Sequence, residues 1–273
     1  MIFQNKTIFI TGATRGIGKA IAIRLAKEGA NIVVAAKSVT ENEKLGGTIF
    51  SAATEIENAG GKALPIQCDI RNEDQVKNAV NAAISKFGGI DMVINNASAI
   101  ALTTTEKTEL KRFNLMYEIN IRGTFSVVQN CLPYLKQSGH AHILTLSPPI
   151  NLNPKWLGNH VAYTLSKYNM SMMAMGWAEE FKNIPIASNA LWPKTTIDTA
   201  AVRNLLGGEA LAKMSRTPQI VADAAFHILK ETPASCTGNC YIDEEVLIKN
   251  GVLDFADYAV VPGVQLYPDL FLD

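Results

Sequence analysis

The sequence predicts an α/β fold in which a doubly wound parallel sheet of about seven strands, in the order 3-2-1-4-5-6-7, carries helices on both faces. Short apolar runs alternate with longer amphipathic stretches along the chain, and this is the pattern of parallel strands connected by helices. The first such unit, residues 6–37, fits a strand, a helix and a strand with a right-handed crossover. Nothing marks a domain boundary, so we expect residues 1–273 to form one domain, with residues 243–273 as an extension packed on it.

The first unit contains a glycine-rich turn. Residues 8–10 form a short apolar strand, Gly12, Gly16 and Gly18 follow, and a helical pattern then runs to Gly29. Because glycine has no Cβ, the chain can turn sharply and lie against a ligand phosphate, while free N–H groups at the helix start attract its negative charge. The spacing G-x-x-x-G-x-G therefore predicts a phosphate-binding turn, and an ordinary tight turn is the alternative.

The residues after the second strand indicate which dinucleotide this turn binds. A site for NAD(H) places Asp or Glu about 20 residues beyond the turn, whereas this chain has Ala36, Lys37 and Ser38 there. Arg15, inside the turn, and Lys37 are cations that attract a ribose 2′-phosphate. We therefore expect NADP(H) rather than NAD(H). The alternative is that Lys37 is a solvated charge at the end of a strand.

The third strand is predicted over residues 63–68, after a helix over 48–59. Pro65 indicates that this strand lies at the edge of the sheet, because proline donates no hydrogen bond to a neighbour. Asp69 closes the strand and is either an acceptor for the adenine amino group or a loop carboxylate. The remaining predicted elements are a helix capped near Asn72, a fourth strand over 91–95, a long helical region over 117–133, and strands over 142–146, 187–192 and 240–242.

A helical stretch after the fifth strand carries a tyrosine and a lysine. Tyr163 and Lys167 are four residues apart, which places the phenol and the ammonium on the same face. A nearby cation stabilises a phenolate, so we expect the pKa of Tyr163 to be lowered from about 10 toward neutrality. Such a tyrosine can exchange a proton at working pH. By itself this spacing is a weak signal, because many helices contain it by chance.

Residues 11–18, residues 95–97 and the Tyr163/Lys167 pair, in this order, make the chain similar to the short-chain dehydrogenase/reductase family over nearly its full length. The resemblance implies an NAD(P)-dependent enzyme with a Rossmann-like domain, in which Tyr163 exchanges a proton with a carbonyl or an alcohol. It also implies that Lys167 binds the nicotinamide ribose and that Asn120 holds a water in the proton relay. The cofactor-binding residues expected on both grounds are Thr11, Gly12, Thr14, Arg15, Gly16, Ile17, Gly18, Lys37, Asp69, Asn95, Ala97, Tyr163, Lys167, Pro193 and Thr195.

The chain departs from the family pattern at the serine that polarises the substrate carbonyl. That serine lies 13 residues before the tyrosine, where this chain has Ile150. Ser147, which lies 16 residues before Tyr163, is the candidate replacement, although a strand-end alignment places the family serine on Pro148. Loss of one hydrogen bond to the carbonyl oxygen costs on the order of 100-fold in rate. A dinucleotide-binding sensor or scaffold with little catalysis is therefore the alternative function.

Residues 147–154, 178–182, 189–195 and 268–273 narrow the resemblance to one subgroup of the family. Animal members of that subgroup add a sterol-carrier-type lipid domain, which we expect this chain to lack. Apolar residues after strands five and six predict either core or an apolar mouth over the nicotinamide, which suits a hydrophobic substrate that is steroid-like or has an acyl chain. These residues are Leu152, Trp156, Leu157, Trp192, Leu205 and Leu206.

Composition limits the class of partner. Lys plus Arg and Asp plus Glu number 25 each, so we expect a small carbonyl or alcohol substrate and neither nucleic acid nor an anionic membrane. No apolar stretch approaches 18 residues and no signal peptide fits before the glycine turn, so we expect no membrane insertion and a cytoplasmic location. The spacing of the cysteines and histidines predicts no metal and no disulfide. The family resemblance implies a homodimer or homotetramer that packs through the tyrosine helix.

Overall fold

The computed structural model describes residues 1–42 and 45–273. Its strands are β1 Thr7–Thr11, β2 Asn31–Ala36, β3 Lys62–Gln67, β4 Met92–Asn95, β5 Ala141–Leu146, β6 Ile186–Trp192 and β7 Cys240–Ile242. They form a seven-stranded sheet in the order β3-β2-β1-β4-β5-β6-β7, and all neighbouring strands are parallel. The predicted fold class and strand order are confirmed. Pro65 lies in β3, which is an outer strand as predicted.

Helices connect the strands. They are α1 Gly16–Ala26, α2 Ile49–Asn58, α3 Glu73–Phe87, α4 Leu110–Met116, α5 Thr124–Leu135, α6 Pro154–Gly158, α7 Val161–Glu180, α8 Gly208–Lys213, α9 Gln219–Leu229 and α10 Asp243–Lys249. The Asn72 side chain accepts a hydrogen bond of 3.1 Å from the Gln75 N–H and so caps α3, as the sequence predicts. Among the described residues, no helix combines the length and the apolar character that crossing a bilayer requires.

The sheet is covered on both faces, because side chains alternate between two separate cores along each strand. Ile8 and Ile10 of β1 point into a core that contains residues of α1, α2, α9 and α10. Phe9, between them, points into the opposite core, which contains residues of α3, α5 and α7. All residues of β1, β2, β4, β5 and β6 are buried. This layering leaves the carboxyl ends of the strands at one edge of the sheet, where doubly wound folds bind ligands.

The helical region predicted over 117–133 is interrupted. A π-helical segment, Tyr117–Gly123, lies between α4 and α5. Its wider turn brings the buried Asn120 to the loop after β4, where the Asn120 side chain accepts a hydrogen bond of 2.8 Å from the Ala99 N–H. At Gly123 the helix passes so close to Ile70 that a Cβ would lie 2.7 Å from Ile70 Cγ1. Such π segments occur frequently at functional sites.

Residues 250–273, here called the C-terminal tail, return to the edge of the sheet that bears the strand ends. The N–H of Val260 donates a hydrogen bond of 3.0 Å to the carbonyl oxygen of Ser215. Further along, the N–H of Thr196 donates to the carbonyl oxygen of Tyr267 at 2.9 Å. These bonds attach the tail to the segments that follow β6.

Candidate active site

A cleft of about 1120 Å³ opens at the carboxyl ends of the strands. Its wall is formed by the glycine turn, the ends of β2 and β3, the loop after β4, α4, α7, the segment after β6 and the C-terminal tail. Predicted cofactor-binding residues that line it are Gly12, Thr14, Arg15, Gly16, Ile17, Lys37, Asp69, Ala97, Tyr163, Lys167 and Pro193. Predicted site residues outside the lining are Thr11, Gly18, Asn95, Asn120, Ser147 and Thr195.

The glycine turn has the geometry of a phosphate cradle. Gly12 and Gly16 have φ angles of +68° and +54°, in the left-handed region that favours glycine. A Cβ on Gly12 would lie 3.1 Å from the Ala97 Cα, so a side chain there would press on the loop after β4. The Thr11 hydroxyl oxygen accepts hydrogen bonds of 3.0 Å from the N–H groups of Asn96 and Ala97, which holds the two segments together. The turn therefore presents backbone to the cleft at the start of α1, and its residues fit a pyrophosphate.

The corner of the cleft beside the glycine turn is positively charged. Arg15, Lys37 and Ser38 line it, and an Arg15 Nη donates to the Ser38 hydroxyl at 2.5 Å. Lys37 is exposed, and its ammonium forms no ion pair with the residues the structure describes. The carboxylate of Asp69 also lines the cleft, but Arg71 holds it at 2.6 Å, and that hydrogen bond lowers the pKa of Asp69. The residues present therefore suit a ribose 2′-phosphate at this corner.

Tyr163 and Lys167 lie together on α7, in the wall of the cleft, and both are buried. The Lys167 Nζ donates a hydrogen bond of 2.6 Å to the carbonyl oxygen of Leu146, at the end of β5. Burial lowers the pKa of Lys167 to about 7, and the nearby Asp269 opposes this shift. Burial, with a contribution from the negative charge of Asp269, raises the pKa of Tyr163. The prediction that the pKa of Tyr163 is lowered is therefore wrong for the protein alone, because desolvation outweighs attraction to a partly neutral ammonium.

Asn120 is fully buried and holds the loop after β4 against α7. Its Nδ2 donates hydrogen bonds of 3.0 Å to the Ala99 carbonyl oxygen and to the Ser166 hydroxyl. The Ser166 hydroxyl in turn donates to the carbonyl oxygen of Tyr163 at 2.8 Å. The Asn120 side chain therefore connects the loop to the tyrosine helix. The water relay expected of this residue stays a prediction.

Ser147 is the predicted site residue that the structure places least favourably. Its side chain is completely buried, and its hydroxyl has no hydrogen-bond partner among the described residues. Its N–H donates to the carbonyl oxygen of Leu191, so Ser147 continues the sheet between β5 and β6. A catalytic role for Ser147 stays a prediction that this position does not support.

The apolar side of the cleft agrees in part with the expected mouth. Trp192, Leu205 and Leu206 line it. Trp156 and Leu157 pack instead beside a cluster of buried residues that includes Tyr163, and Leu152 is 72% exposed outside the cleft. Other apolar residues, which the sequence analysis did not predict, also line the cleft, and they include Ile100, Leu102, Leu115, Met116, Leu211 and Leu270.

Several polar residues that were not predicted from the sequence also line the cleft. Ser38 follows the predicted residue Lys37, and Asn96 lies between the predicted residues Asn95 and Ala97. Their positions in the sequence could therefore have identified them as site residues. Thr199 and Asp269 line the cleft from the segment after β6 and from the C-terminal tail. No local pattern marks these two, because long-range packing places them there.

Two of the four histidines, His140 and His142, bond to backbone outside the cleft, whereas His160 lines the cleft. An Nε2 hydrogen bond connects His140 to the carbonyl oxygen of Leu229 at 2.8 Å, and another connects His142 to that of Glu231 at 3.0 Å. The four cysteines are free thiols. Within the described ranges, no group of three His, Cys, Asp or Glu side chains is placed to hold a metal ion.

Known proteins are similar to this chain in sequence and in fold. Residues 6–209 match the family described as short chain dehydrogenase. Over 267 residues the chain is 57% identical to hydroxysteroid dehydrogenase-like protein 2 of Xenopus tropicalis, an alignment that covers 98% of this chain and 63% of the frog protein. This match confirms the subgroup that the sequence motifs indicate. The chain spans 63% of the length of these relatives.

Solved structures of short-chain dehydrogenases and related proteins have the same fold as this chain. A crystal structure of a Xanthomonas campestris protein superposes with a TM-score of 0.96 at 51% identity, over 100% of both chains. A metagenomic short-chain oxidoreductase in complex with NADP superposes with a TM-score of 0.72 at 22% identity, over 89% of this chain and 98% of that one. The glycine turn, the tyrosine and lysine on one helix, and these matches together show that the chain belongs to the short-chain dehydrogenase/reductase family.

Proposed function

We propose that this chain is an NADP(H)-dependent oxidoreductase that interconverts a carbonyl and a secondary alcohol on a small hydrophobic substrate, either steroid-like or with an acyl chain. The observation that carries the proposal is the shared cleft. Tyr163 and Lys167 line the same cavity as the glycine turn and an apolar wall. A dinucleotide and an apolar carbonyl compound can therefore meet at an ionisable tyrosine.

The positive corner of the cleft supports the choice of cofactor. We assign the pyrophosphate to the backbone at Gly12 and Gly16, the 2′-phosphate to Arg15 and Lys37, and the adenine amino group to Asp69. The metagenomic oxidoreductase of the same fold binds NADP. When bound, the cofactor supplies the hydride for reduction or accepts it in oxidation.

Cofactor choice is tested by Lys37→Asp, with Lys62→Asp as the control, because Lys62 is exposed at the opposite end of the sheet. A lost charge-assisted contact is worth about 1.5–3 kcal/mol, so NADPH affinity should fall roughly 10- to 100-fold and NADH affinity should change far less. Fluorescence titration of both cofactors measures this. Equal weakening of NADPH and NADH contradicts the assignment of the 2′-phosphate.

The proton is assigned to Tyr163. In reduction, the hydroxyl of Tyr163 gives its proton to the substrate oxygen while the carbonyl carbon receives the hydride, so that ketone, NADPH and one solvent proton become alcohol and NADP⁺. Lys167 binds the ribose and stabilises the phenolate that remains, as the family pattern implies. Asn120 keeps the loop after β4 against α7 and so positions Tyr163.

Tyr163→Phe tests the assignment of the proton. We expect turnover to fall by at least about 1,000-fold, within the range for loss of a general acid, while the Kd for NADPH stays within a few-fold. The assay follows NADPH absorbance over a panel of aliphatic aldehydes, methyl ketones and steroid ketones. Tyr134→Phe, on α5 and outside the cleft, is the matched control. Turnover by Tyr163→Phe at the wild-type rate contradicts the proposed acid.

A second candidate function is a dinucleotide-binding sensor or scaffold with little catalysis. The observation in its favour is the buried hydroxyl of Ser147, which leaves the cleft without the serine that the family uses. Wild-type protein that binds NADPH but reduces no member of the panel would support this candidate against the oxidoreductase.

We also propose a homodimer or homotetramer in the cytoplasm. The helix α7 exposes an apolar face, on which Val161, Leu165, Met172 and Met175 are between 38% and 60% exposed. Phe125 of α5 is also exposed, at 48%, and its ring centroid lies 6.3 Å from that of Trp177 of α7. A second subunit would bury these side chains. Sedimentation velocity tests the assembly, and a monomer at micromolar concentration contradicts it.

A further inference from the structure

The C-terminal tail brings a carboxyl group into the candidate active site. Asp269 lines the same cleft as Tyr163 and Lys167. Its backbone N–H donates a hydrogen bond of 3.1 Å to the carbonyl oxygen of Lys194. The indole N–H of Trp192 donates one of 3.0 Å to the carbonyl oxygen of the next tail residue, Leu270. Hydrogen bonds at Asp269 and Leu270 therefore attach the tail to the end of β6 and to the segment that follows β6.

Phe271 anchors the tail two residues further on. It is 2% exposed, and its ring centroid lies 5.2 Å from that of Tyr168, 6.0 Å from that of Trp192 and 6.2 Å from that of Tyr163. Its φ angle is +72°, a conformation that costs free energy for a bulky side chain. Packing in the aromatic cluster offsets this cost, so contacts with α7 help to determine the path of the tail.

Only one of the two carboxyl oxygens of Asp269 has a hydrogen-bond partner among the described residues. One oxygen accepts a hydrogen bond of 2.7 Å from the N–H of Leu270, and the other makes no hydrogen bond with the residues the structure describes. The side chain is partly exposed and lines the cleft. A ligand in the cleft can therefore satisfy the second oxygen.

The groups around Asp269 favour a protonated carboxyl near neutral pH. Burial raises the pKa of Asp269 to about 7, the hydrogen bond from Leu270 lowers it, the negative charge of Asp243 raises it, and Lys167 lowers it. Asp269 also acts electrostatically on the phenol of Tyr163 on α7, and its backbone bonds to that of the half-buried Lys194. Because desolvation is the largest of these effects, the neutral acid persists to a higher pH than in an ordinary aspartate.

We propose that Asp269 is a catalytic residue, whose protonated carboxyl donates to the substrate oxygen the hydrogen bond that the family takes from its serine. The inference rests on the proposed function. Tyr163 still transfers the proton to the oxygen, and Asp269 keeps its own proton throughout, so the balance of the reaction is unchanged. A neutral carboxylic acid can serve as such a donor in an apolar site.

The other polar groups near the reacting centre fit this role less well. Pro148 and Ile150, at the family serine position, have no side-chain donor, and Ser147 is buried outside the cleft. The hydroxyl of Thr196 is engaged with that of Ser215 at 2.7 Å. His160 lines the cleft and is the competing donor. A neutral imidazole would keep donating as pH rises, whereas a carboxyl would stop.

The test compares Asp269→Asn, which keeps a donor at every pH, with Asp269→Leu, which removes it. Asp257→Leu, an exposed tail carboxylate outside the cleft, is the control. For ketone reduction by the wild type, kcat/KM should fall as pH rises through about 7, because the acid donates below its pKa and not above it. Asp269→Asn should lose this limb and stay within about tenfold of the wild type. Asp269→Leu should be roughly 100-fold slower at pH 6, with the Kd for NADPH unchanged.

Two results overturn the inference. They are an Asp269→Leu variant within threefold of the wild type, which would leave His160 as the donor, and an Asp269→Asn variant that keeps the limb near pH 7, which would assign the limb to Lys167, because burial also lowers the pKa of Lys167 to about 7. Failure of the proposed function is recognised separately, as a wild-type protein that reduces no panel member. In that case, carboxyl ¹³C NMR of the NADP⁺-loaded protein decides, with the resonance of Asp269 identified by its loss in Asp269→Asn. Titration near pH 7 supports the protonated carboxyl that the inference requires, and titration near pH 4 overturns the inference.

Discussion

The function proposed for Lys167 and the stability of the fold place opposite demands on this side chain. The side chain is 2% exposed, and its ammonium donates to the carbonyl oxygen of Leu146 at 2.6 Å. Burial lowers its pKa to about 7 because the charged form loses hydration in the protein interior. An unfolded lysine keeps its proton to about pH 10, so unfolding takes up a proton between these two values. The buried amine therefore costs folding free energy, and this cost is largest below pH 7.

We predict that Lys167→Met is inactive yet more stable. Methionine has a similar volume and no charge to desolvate, so the free energy of unfolding at pH 7 without cofactor should rise by about 1–3 kcal/mol. Ketone reduction should fall by at least about 100-fold. Urea unfolding measures the first effect, with the exposed Lys62→Met as a control that should stay within about 0.5 kcal/mol of the wild type. A clear loss of stability in Lys167→Met would show that the lysine is better accommodated than its burial indicates.

At the scale of single elements, the glycine turn between β1 and α1 has little freedom to change. Gly12 combines a φ of +68° with a close approach to the loop after β4, where a Cβ would lie 3.0 Å from Asn96 Nδ2 and 3.1 Å from Ala97 Cα. The second of these neighbours is backbone, which cannot rotate away as a side chain can. Both conformation and space therefore exclude a side chain at this position.

Gly12→Ala should lower the free energy of unfolding by about 1–3 kcal/mol and weaken NADPH binding at least tenfold, because the loop after β4 must move. Gly89→Ala is the control, since a Cβ there has no neighbour within 4 Å and the residue has no positive φ. Thermal unfolding with and without NADPH measures both effects. If Gly12→Ala binds NADPH as the wild type does, the turn is not the phosphate cradle.

Elements differ in how far the sequence predicts them. The strands were predictable because a strand buried on both faces is apolar at successive positions, as at Ile8, Phe9 and Ile10. The π segment was not, since it depends on the bond between Asn120 and Ala99 in a distant loop. In the site, the glycine turn and the family motifs predicted residues that line the cleft, such as Arg15 and Tyr163. The position of Asp269 in the cleft depends on hydrogen bonds between residues far apart in the sequence, which the sequence pattern does not predict.

At the scale of the whole molecule, buried histidine makes stability depend on pH. His142 lies on β5, between β4 and β6, and is 1% exposed. Burial, with the charge of His140 as the second cause, lowers the pKa of His142 to about 3. The folded protein therefore keeps this imidazole neutral, while the unfolded chain binds a proton below about pH 6.5. The stability that depends on the neutral ring is present above pH 6.5 and is lost as pH falls toward 3.

We predict that the wild type loses about 2 kcal/mol more than His142→Gln between pH 7 and pH 5, at about 1.4 kcal/mol for each pH unit below 6.5. Glutamine keeps a side-chain donor for the carbonyl oxygen of Glu231, which His142 bonds at 3.0 Å. Urea unfolding at the two pH values gives the difference directly. Parallel pH dependence in the two proteins would contradict the assignment of this loss to His142.

The proposed function depends on one arrangement: a dinucleotide on the glycine turn whose nicotinamide reaches Tyr163 and Lys167 across the cleft. A crystal structure with NADP⁺ bound tests it most directly. We predict that the Tyr163 hydroxyl lies about 4 Å from the nicotinamide C4, with room between them for a carbonyl group. A bound dinucleotide whose nicotinamide lies elsewhere, or a Tyr163 hydroxyl that points away from C4, would contradict the proposed function.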